Sequence, residues 1–475
     1  MSLAQSPVTS IPHLHDGACS AAPRSQQPLW CSLKQEISVT LPMLLHILWV
    51  LLIRRRPTSW PDTAEAAARI VLACFEASAM LAAIPLWLVL PGALFAVWAG
   101  ACAVVVAVAC WMLKGDDIAG RTYRFNVGES GGWIKGQEAE DEKWMFVGGM
   151  GMSSRHCHEK TLPALSRLFN RPVTCICMST YGILFDMMAM VLQRCVPMPS
   201  QARRTLYTQM RCALLDDSVD RCVVLCHNDG AVLVSQAVTQ LCADLPPERL
   251  GKLEVYTFGA AASEFVVPPR NTITVMDSKP VRQNEDRIND QLGIHLEHFA
   301  MPSDPFAQMG VLHSVRRDME RRLCGSVFIL NDTNHPRSQE CSRGVAKWAC
   351  LGLAMEEYLV ALFPSQMVPD STAATHYCGL GDVVAINRKC AEEDEIAPMG
   401  NYHAASPVRN GGKRLSWMGL ADTAKHKNGM SAGMAGLEMA RKACEKSTGS
   451  KGSEVSRLGR YVALEGLGGT DQMFH

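Results

Sequence analysis

Long apolar stretches dominate the first part of the chain. They cover residues 37–53, 69–90 and 92–113; the third contains no charged residue and the second encloses one acid, Glu76. A bilayer core about 30 Å thick needs roughly 20 helical residues, so the second and third stretches are predicted to span a membrane. A buried core helix is the weaker alternative, because a soluble helix normally keeps a polar stripe. The first stretch is at the lower length limit and fits either a third span or an interfacial helix.

The residues between and after these stretches predict their orientation. Pro91 and Gly92 favour a tight turn, and therefore a helical hairpin. Basic residues follow the first and third stretches: Arg54, Arg55, Arg56, Lys114, Arg121 and Arg124. Because such residues are retained on the cytoplasmic side, the rest of the chain is predicted to face the cytosol.

The pattern changes from about residue 143, where short apolar runs alternate with amphipathic stretches. Strands are predicted at 144–147, 173–177, 221–226, 253–258, 273–275 and 295–300, and helices at 160–169, 183–194, 202–215 and 231–244. This alternation is typical of an α/β fold with a mostly parallel sheet flanked by helices. The predicted organisation is a disordered leader (1–36), a membrane region of two to three helices (37–113), the α/β domain (143–365) and a largely disordered tail (366–475) with one helix near 431–445.

Charge and cysteine content narrow the function classes. The 46 basic and 46 acidic residues cancel, so no nucleic-acid partner is indicated. The 19 cysteines follow no repeating spacing. The closest groups are His156-Cys157-His158 and Cys175 with Cys177, and neither has a matching second pair, so no metal site or cofactor is expected. Reduced, buried cysteines in a cytosolic domain are the simplest interpretation.

Residues 221–231 are the segment most indicative of chemistry. A buried strand runs into a tight turn and then a helix of small and apolar residues, which is the layout of a nucleophile elbow, G-x-S-x-G. The five positions of that motif are occupied by Cys226, His227, Asn228, Asp229 and Gly230. The amide nitrogen of asparagine shares its lone pair with the carbonyl, so a histidine cannot turn Asn228 into a nucleophile.

From about residue 142 to 364 the chain resembles a family of fungal membrane-associated α/β-hydrolase-fold proteins related to lipase-like serine esterases. The stretches that carry the resemblance are 144–151, 180–186, the elbow, 253–259, and His298-Phe299-Ala300 followed by Asp304 and 310–312. The resemblance implies an α/β-hydrolase sheet and an oxyanion loop at Gly148, Gly149 and Met150. It also implies a triad whose serine falls at Asn228, its acid at Asp304 and its histidine near Gly352, close to an insertion around 334–347. Two of the three triad positions are then lost.

Other residues fit the missing roles less well. Asp229 is one step late for a nucleophile, Ser235 lies inside the following helix, and His335 lies in the insertion. His227 is predicted to point away from whatever Asn228 contacts, and Asp304 becomes a loop-capping carboxylate if no histidine needs it. The run 148–151 lacks the Gly-Lys-Ser/Thr ending of a phosphate loop, and the methionines at 187–190 fit a core helix.

The sequence therefore predicts a membrane-anchored, catalytically impaired α/β-hydrolase-like protein, a pseudo-hydrolase that acts by binding a ligand or partner. The expected partners are the bilayer and an apolar acyl or ester ligand. The expected location is an endomembrane, with the endoplasmic reticulum as one candidate. One alternative is an active esterase or lipase-type hydrolase that acts on apolar esters or specialised metabolites through an unconventional nucleophile. A further alternative is a membrane scaffold for other enzymes.

Overall fold

The computed structural model describes residues 8–11, 28–53, 60–114, 122–125, 141–150, 156–178, 180–267, 293–316, 322–330, 354–363 and 456–461. Eight strands form one sheet: β1 (Val8–Ile11), β2 (Thr122–Phe125), β3 (Glu142–Val147), β4 (Val173–Ile176), β5 (Arg221–His227), β6 (Leu253–Phe258), β7 (His295–Ala300) and β8 (Ser326–Leu330). Their order across the sheet is β1-β8-β7-β6-β5-β3-β4-β2.

The six central strands are parallel, and the two edge strands, β1 and β2, pair antiparallel. The predicted α/β fold with a mostly parallel sheet is confirmed. Its physical basis is visible in β5 and β6, which are almost entirely apolar and buried on both faces, as strands covered by helices on both sides must be. The predicted strand at 273–275 lies outside the described residues.

Helices precede and flank this sheet. They are α1 (Leu29–Ile53), α2 (Trp60–Val89), α3 (Gly92–Lys114), α4 (Leu162–Phe169), α5 (Ile183–Cys195), α6 (Gln201–Leu215), α7 (Gly230–Asp244), α8 (Pro247–Leu250), α9 (Pro305–Met309), α10 (Val311–Arg316) and α11 (Met355–Leu362). A π-helical turn (Cys157–Thr161) leads into α4, and a 3₁₀ turn (Arg457–Tyr461) comes last.

Strand alternation divides the hydrophobic core into two layers. In β5, Val224 and Cys226 belong to the layer that contains residues of α5, α6, α7 and α9, whereas Val223 and Leu225 belong to the layer that contains residues of α4 and α11. Successive side chains of a strand point to opposite faces, so one strand supplies both layers.

Two N-terminal helices are long and apolar enough to cross a membrane. Ala67–Val89 in α2 has a mean hydropathy of 1.9, and Gly92–Met112 in α3 has 2.4. The helices pack on each other through Leu72, Val106 and Cys110. They occupy the positions of the predicted hairpin.

Helix α1 corrects the expected leader and its boundary at residue 36. The helix begins at Leu29, and its first half packs against the α/β domain, where Glu36 and Arg194 form a buried ion pair with 3.0 Å between Oε2 and Nη2. Strand β1, also inside the expected leader, pairs with β8. Both elements depend on contacts with distant parts of the chain, which local composition does not reveal. The structure describes the backbone of residues 44–53 as helix but not their side chains.

The prediction that residues 366–475 form a largely disordered tail is corrected for one segment, residues 456–461. Residues 456–461 pack onto the sheet, where the Tyr461 ring meets Trp144 edge-on with 4.9 Å between ring centroids. The Ser456 hydroxyl donates a hydrogen bond to Glu297. The rest of the tail, including the predicted helix at 431–445, lies outside the described residues.

Candidate functional site

The turn between β5 and α7 has the predicted strand–turn–helix layout. Asn228 stands at its apex with φ +50°, a left-handed conformation that asparagine tolerates better than most residues. Two glycines let the loop after β3 touch this turn. A Cβ on Gly149 would lie 2.5 Å from the carbonyl oxygen of His227, and one on Gly230 would lie 2.7 Å from that of Val147. Larger residues at either position would separate the loop from the turn.

Backbone hydrogen bonds fix Asn228 against the end of β6. Its N–H donates to Phe258 O at 3.0 Å, and its carbonyl oxygen accepts from Ala261 N at 3.0 Å. The side chain has no exposed surface, and its amide makes no hydrogen bond to any residue in the described ranges. A buried polar group left in this state costs about 1–3 kcal/mol, so Asn228 is not placed there for stability alone.

Asp304 follows β7 and has two structural partners. Its Oδ1 accepts from the N–H of Phe306 at 2.8 Å, capping α9, and its Oδ2 accepts from the Tyr358 hydroxyl at 2.6 Å. Burial raises the pKa of Asp304 to about 8, although the hydrogen bonds from Tyr358 and Phe306 act in the opposite direction. The capping role is the alternative that the sequence offered for this carboxylate.

Tyr358, on α11, is a site residue that sequence reasoning missed. Its hydroxyl bridges Asp304 and the Met301 N–H, which donates to it at 3.2 Å. In the described part of the chain no histidine hydrogen-bonds to Asp304. Gly352 and His335, the positions considered for a base, lie outside the described residues. In the sequence, Tyr358 resembles an ordinary core residue of an apolar helix. No residue near it in the chain indicates that its hydroxyl bonds to Asp304.

Gly259 brings the polar groups of the site together. It has φ +60°, and a Cβ there would lie 2.1 Å from Asp304 Oδ2, 2.9 Å from the Tyr358 hydroxyl and 3.1 Å from Asn228 Oδ1. Only a glycine fits both this backbone conformation and this space. Asn228, Asp304 and Tyr358 therefore form one buried cluster at the carboxyl ends of β5, β6 and β7.

The carboxylate of Asp229 lies against the loop after β3. The Met150 N–H donates to its Oδ1 in a short hydrogen bond. Burial raises the pKa of Asp229 to about 7, opposed by hydrogen bonds from the backbone N–H groups of Met150 and of Asp229 itself. In a nucleophile elbow, the N–H after the nucleophile and an N–H of the loop after β3 form the oxyanion hole. Here the Asp229 side chain already accepts a hydrogen bond from the Met150 N–H of that loop.

The remaining residues of the elbow, and Ser235 in the helix that follows it, show no activated nucleophile. Ser235 donates its hydroxyl hydrogen to Glu264 O at 2.5 Å, which agrees with a packed role. Burial raises the pKa of the Cys226 thiol well above its usual value, so a thiolate is disfavoured there. The ring of His227 is buried and meets Tyr358 edge-on at 6.2 Å between centroids.

The two cysteine groups noted in the sequence meet in the structure. Cys157 Sγ and Cys175 Sγ are 3.5 Å apart, and hydrogen bonds with Cys157 and Cys177, together with burial, raise the pKa of the Cys175 thiol. Among the described residues, no three His, Cys, Asp or Glu side chains are grouped so as to hold a metal ion. Cys324 is disulfide-bonded to a partner outside the described residues, which corrects the expectation of reduced cysteines at that position.

Comparisons of the chain with models of protein families, with curated proteins and with solved structures find no match. The functional inference consequently depends on the geometry of the site. That geometry supplies buried carboxyl groups, an amide and a tyrosine hydroxyl. These groups can donate and accept hydrogen bonds, but within the described ranges they include no nucleophile paired with a base.

Proposed function

We propose that this protein is a membrane-anchored α/β-hydrolase-like pseudo-hydrolase that binds an apolar acyl or ester ligand, or a partner, without turning it over. The observation that carries the proposal is the turn at Asn228. It combines the backbone of a nucleophile elbow with a side chain that cannot act as a nucleophile.

The hydrolase-like part is supported by where the elements lie. The turn joins β5 to α7, the loop after β3 touches it through Gly149, and the acid follows β7 at Asp304. These are the positions that the sequence resemblance implies, in the order nucleophile then acid along the chain. In open α/β sheets, ligands bind outside the carboxyl ends of the strands, which is where this cluster is found.

The loss of catalysis is supported by two further contacts besides Asn228. The Met150 N–H, an oxyanion donor on this proposal, donates to Asp229, and the Asp304 carboxylate that would orient a histidine accepts a hydrogen bond from Tyr358. Either contact alone would impair hydrolysis. Removing a triad member from a working enzyme costs on the order of four to six powers of ten in kcat, so their combination with Asn228 favours binding over turnover.

The membrane part is supported by the two apolar helices α2 and α3. With the basic residues after α3 retained in the cytosol, the hairpin enters the bilayer and returns, and the α/β domain lies on the cytosolic side of an endomembrane.

Labelling with a fluorophosphonate probe tests the proposal on the purified full chain. The four proteins are the wild type, Asn228→Ser, the double variant Asn228→Ser/Asp229→Ala, and the matched control Asn228→Ala/Asp229→Ala. Labelling requires a serine oxygen to attack phosphorus while its proton passes to hydroxide or buffer and fluoride leaves, with the negative charge held by the oxyanion donors. Because the described site supplies no base, labelling is slow and is followed at alkaline pH. We expect the wild type and the control to stay unlabelled. The double variant with serine should react faster than Asn228→Ser alone, because its backbone donors are free.

Competition extends this test to the ligand. A long-chain acyl ester should slow labelling of Asn228→Ser/Asp229→Ala, whereas an acetate ester at the same concentration should not. A labelled wild type would show an activated serine and overturn the pseudo-hydrolase proposal in favour of an active hydrolase. A folded double variant that reacts no faster than Asn228→Ser would show that Asp229 does not block an oxyanion site at this turn.

A further inference from the structure

Helix α5 has an unusual outer face for a surface helix. Its inner face packs into the core through Ile183, Met187 and Met190. Its outer face is apolar as well: Met188 is 46% exposed and Leu192 39%. The apolar surface continues beyond both ends of the helix with three exposed side chains, Tyr181, Val196 and Met198.

The neighbouring helix α6 is the internal reference. Its inner face is apolar at Leu206, Met210 and Leu214, while Arg204 and Arg211 on its outer face are exposed. This is the pattern of a helix with one side in water. A helix that is apolar on both sides needs an apolar environment on its outer side too, so α5 is expected to have one.

The bilayer helices reach α5 directly. Phe185, in the first turn of α5, packs against the cluster of Leu72, Val106 and Cys110 that joins α2 to α3. One turn further along α5, Met188 is exposed. The outer face of α5 is therefore continuous with the surface of the hairpin.

A second contact fixes the depth at which this meeting occurs. Glu76 of α2 has no exposed surface, and its Oε2 accepts a hydrogen bond from the Leu184 N–H at 3.0 Å. Glu76 lies nine residues after Ala67, where the apolar span begins, which is about 13 Å along the helix at a rise of about 1.5 Å per residue. A domain held outside the bilayer would contact α2 before the span begins, not inside it. An acid within a span is tolerated where protein groups contact it, and here the Leu184 N–H at the start of α5 donates to one of the two carboxylate oxygens of Glu76.

We propose that the outer face of α5 lies in the cytosolic leaflet of the bilayer, with its exposed apolar side chains among the acyl chains. This inference rests on the membrane anchoring given under Proposed function.

Quenching by brominated lipids tests this placement in the full chain. A dansyl amino acid is incorporated at Leu192 or, as the matched control, at Leu215 of α6, which is also 39% exposed. Each protein is reconstituted into phosphatidylcholine vesicles with or without bromine on the acyl chains. We expect emission from position 192 to be blue-shifted and to be quenched about twofold or more beyond that from position 215.

The outcomes separate the two proposals. If the protein floats with the vesicles and position 192 is quenched no more than position 215, α5 is not in the cytosolic leaflet and only this inference is overturned. If the protein does not float, the hairpin does not insert, and both the anchoring and this inference are overturned. Should the label at 192 prevent folding, Met188 offers a second position on the same face.

Discussion

The two ends of the central strands both bury carboxyl groups, but they use them differently. Near the amino ends, Glu254 accepts from the hydroxyls of Tyr256 and Tyr461 at 2.7 Å each. Glu297 contacts His295 and accepts from Ser456 and the Arg457 N–H. At the carboxyl ends, burial raises the pKa of both aspartates, and the amide beside them has no hydrogen bond in the described part of the chain.

The difference in hydrogen bonding distinguishes polar groups that stabilise the fold, at the amino ends, from polar groups available to a ligand, at the carboxyl ends. A buried polar network stabilises a fold when every member is satisfied, as at the amino ends. Unsatisfied groups lower stability and are retained where a ligand or reaction has use for them. The buried polar groups at the carboxyl ends of the strands therefore contribute less to stability than those at the amino ends, as expected of a binding site.

The pH dependence of stability should show the largest effect, and it should come from the carboxyl ends. Asp304, with a pKa of about 8, keeps a proton that the unfolded chain releases near pH 4. Stability should therefore fall as the pH rises from 5 to 8, by about 1 kcal/mol per pH unit. Asp229, with a pKa of about 7, adds to this fall below pH 7. Asp304→Asn should therefore reduce the slope without abolishing it, with the clearest change above pH 7, in guanidinium unfolding of the full chain in detergent.

The exposed Asp217 provides the control for that experiment. Its ion pair with Arg249 lowers its pKa, so Asp217 changes its charge only in more acidic solution. Asp217→Asn should leave the slope between pH 5 and 8 intact. A wild type whose stability rises over this range would contradict the buried, protonated state of Asp304.

Removing a carboxylate at the amino ends should lower stability at every pH. Glu297→Ala leaves the Ser456 hydroxyl and the Arg457 N–H without their acceptor, at an expected loss of about 2–3 kcal/mol in the free energy of unfolding. It should also release residues 456–461, measurable as faster hydrogen exchange there. Glu248→Ala removes an exposed glutamate of α8 and should change little. If Glu297→Ala and Glu248→Ala lowered the free energy of unfolding equally, the hydrogen bonds of Glu297 would not be stabilising the fold.

The smallest expected changes in the free energy of unfolding have opposite signs at the amino and carboxyl ends of the central strands. Ser456→Ala removes a satisfied hydroxyl and should destabilise by about 1 kcal/mol. Asn228→Gly removes an unsatisfied amide and places the residue best suited to φ +50° in the turn. It should be neutral or stabilise by up to about 1 kcal/mol. Thermal unfolding of the two variants beside the wild type distinguishes these signs, and a clear loss in Asn228→Gly would mean that the amide has a partner after all.

The central strands and their helices were predictable because their signals are local. The run within β5 is continuous and apolar from Cys222 to Cys226, and α7 begins within a residue of its expected start. The elbow was predictable for the same reason, since strand, turn and small-residue helix are adjacent in the chain.

The contacts that decide the chemistry were not predictable, because they join distant segments. Tyr358 meets Asp304, Asp229 meets Met150, and Glu36 meets Arg194 only once the sheet has formed. No pattern along the chain distinguishes Glu36 from an exposed helical acid. The docked residues 456–461 were missed likewise, since their burial depends on β6 and β7.

The close approach of α2 to Gly182 has a mechanical consequence. A Cβ at Gly182 would lie 1.4 Å from Glu76 Oε1, so helix and loop are in direct contact without a side chain between them. Glu76 also holds the first turn of α5. The hairpin and the sheet should then move as one body. Spanning helices change their tilt with the thickness of the surrounding bilayer. On the proposed anchoring, a thinner or thicker membrane would therefore rotate the whole domain relative to the lipid surface.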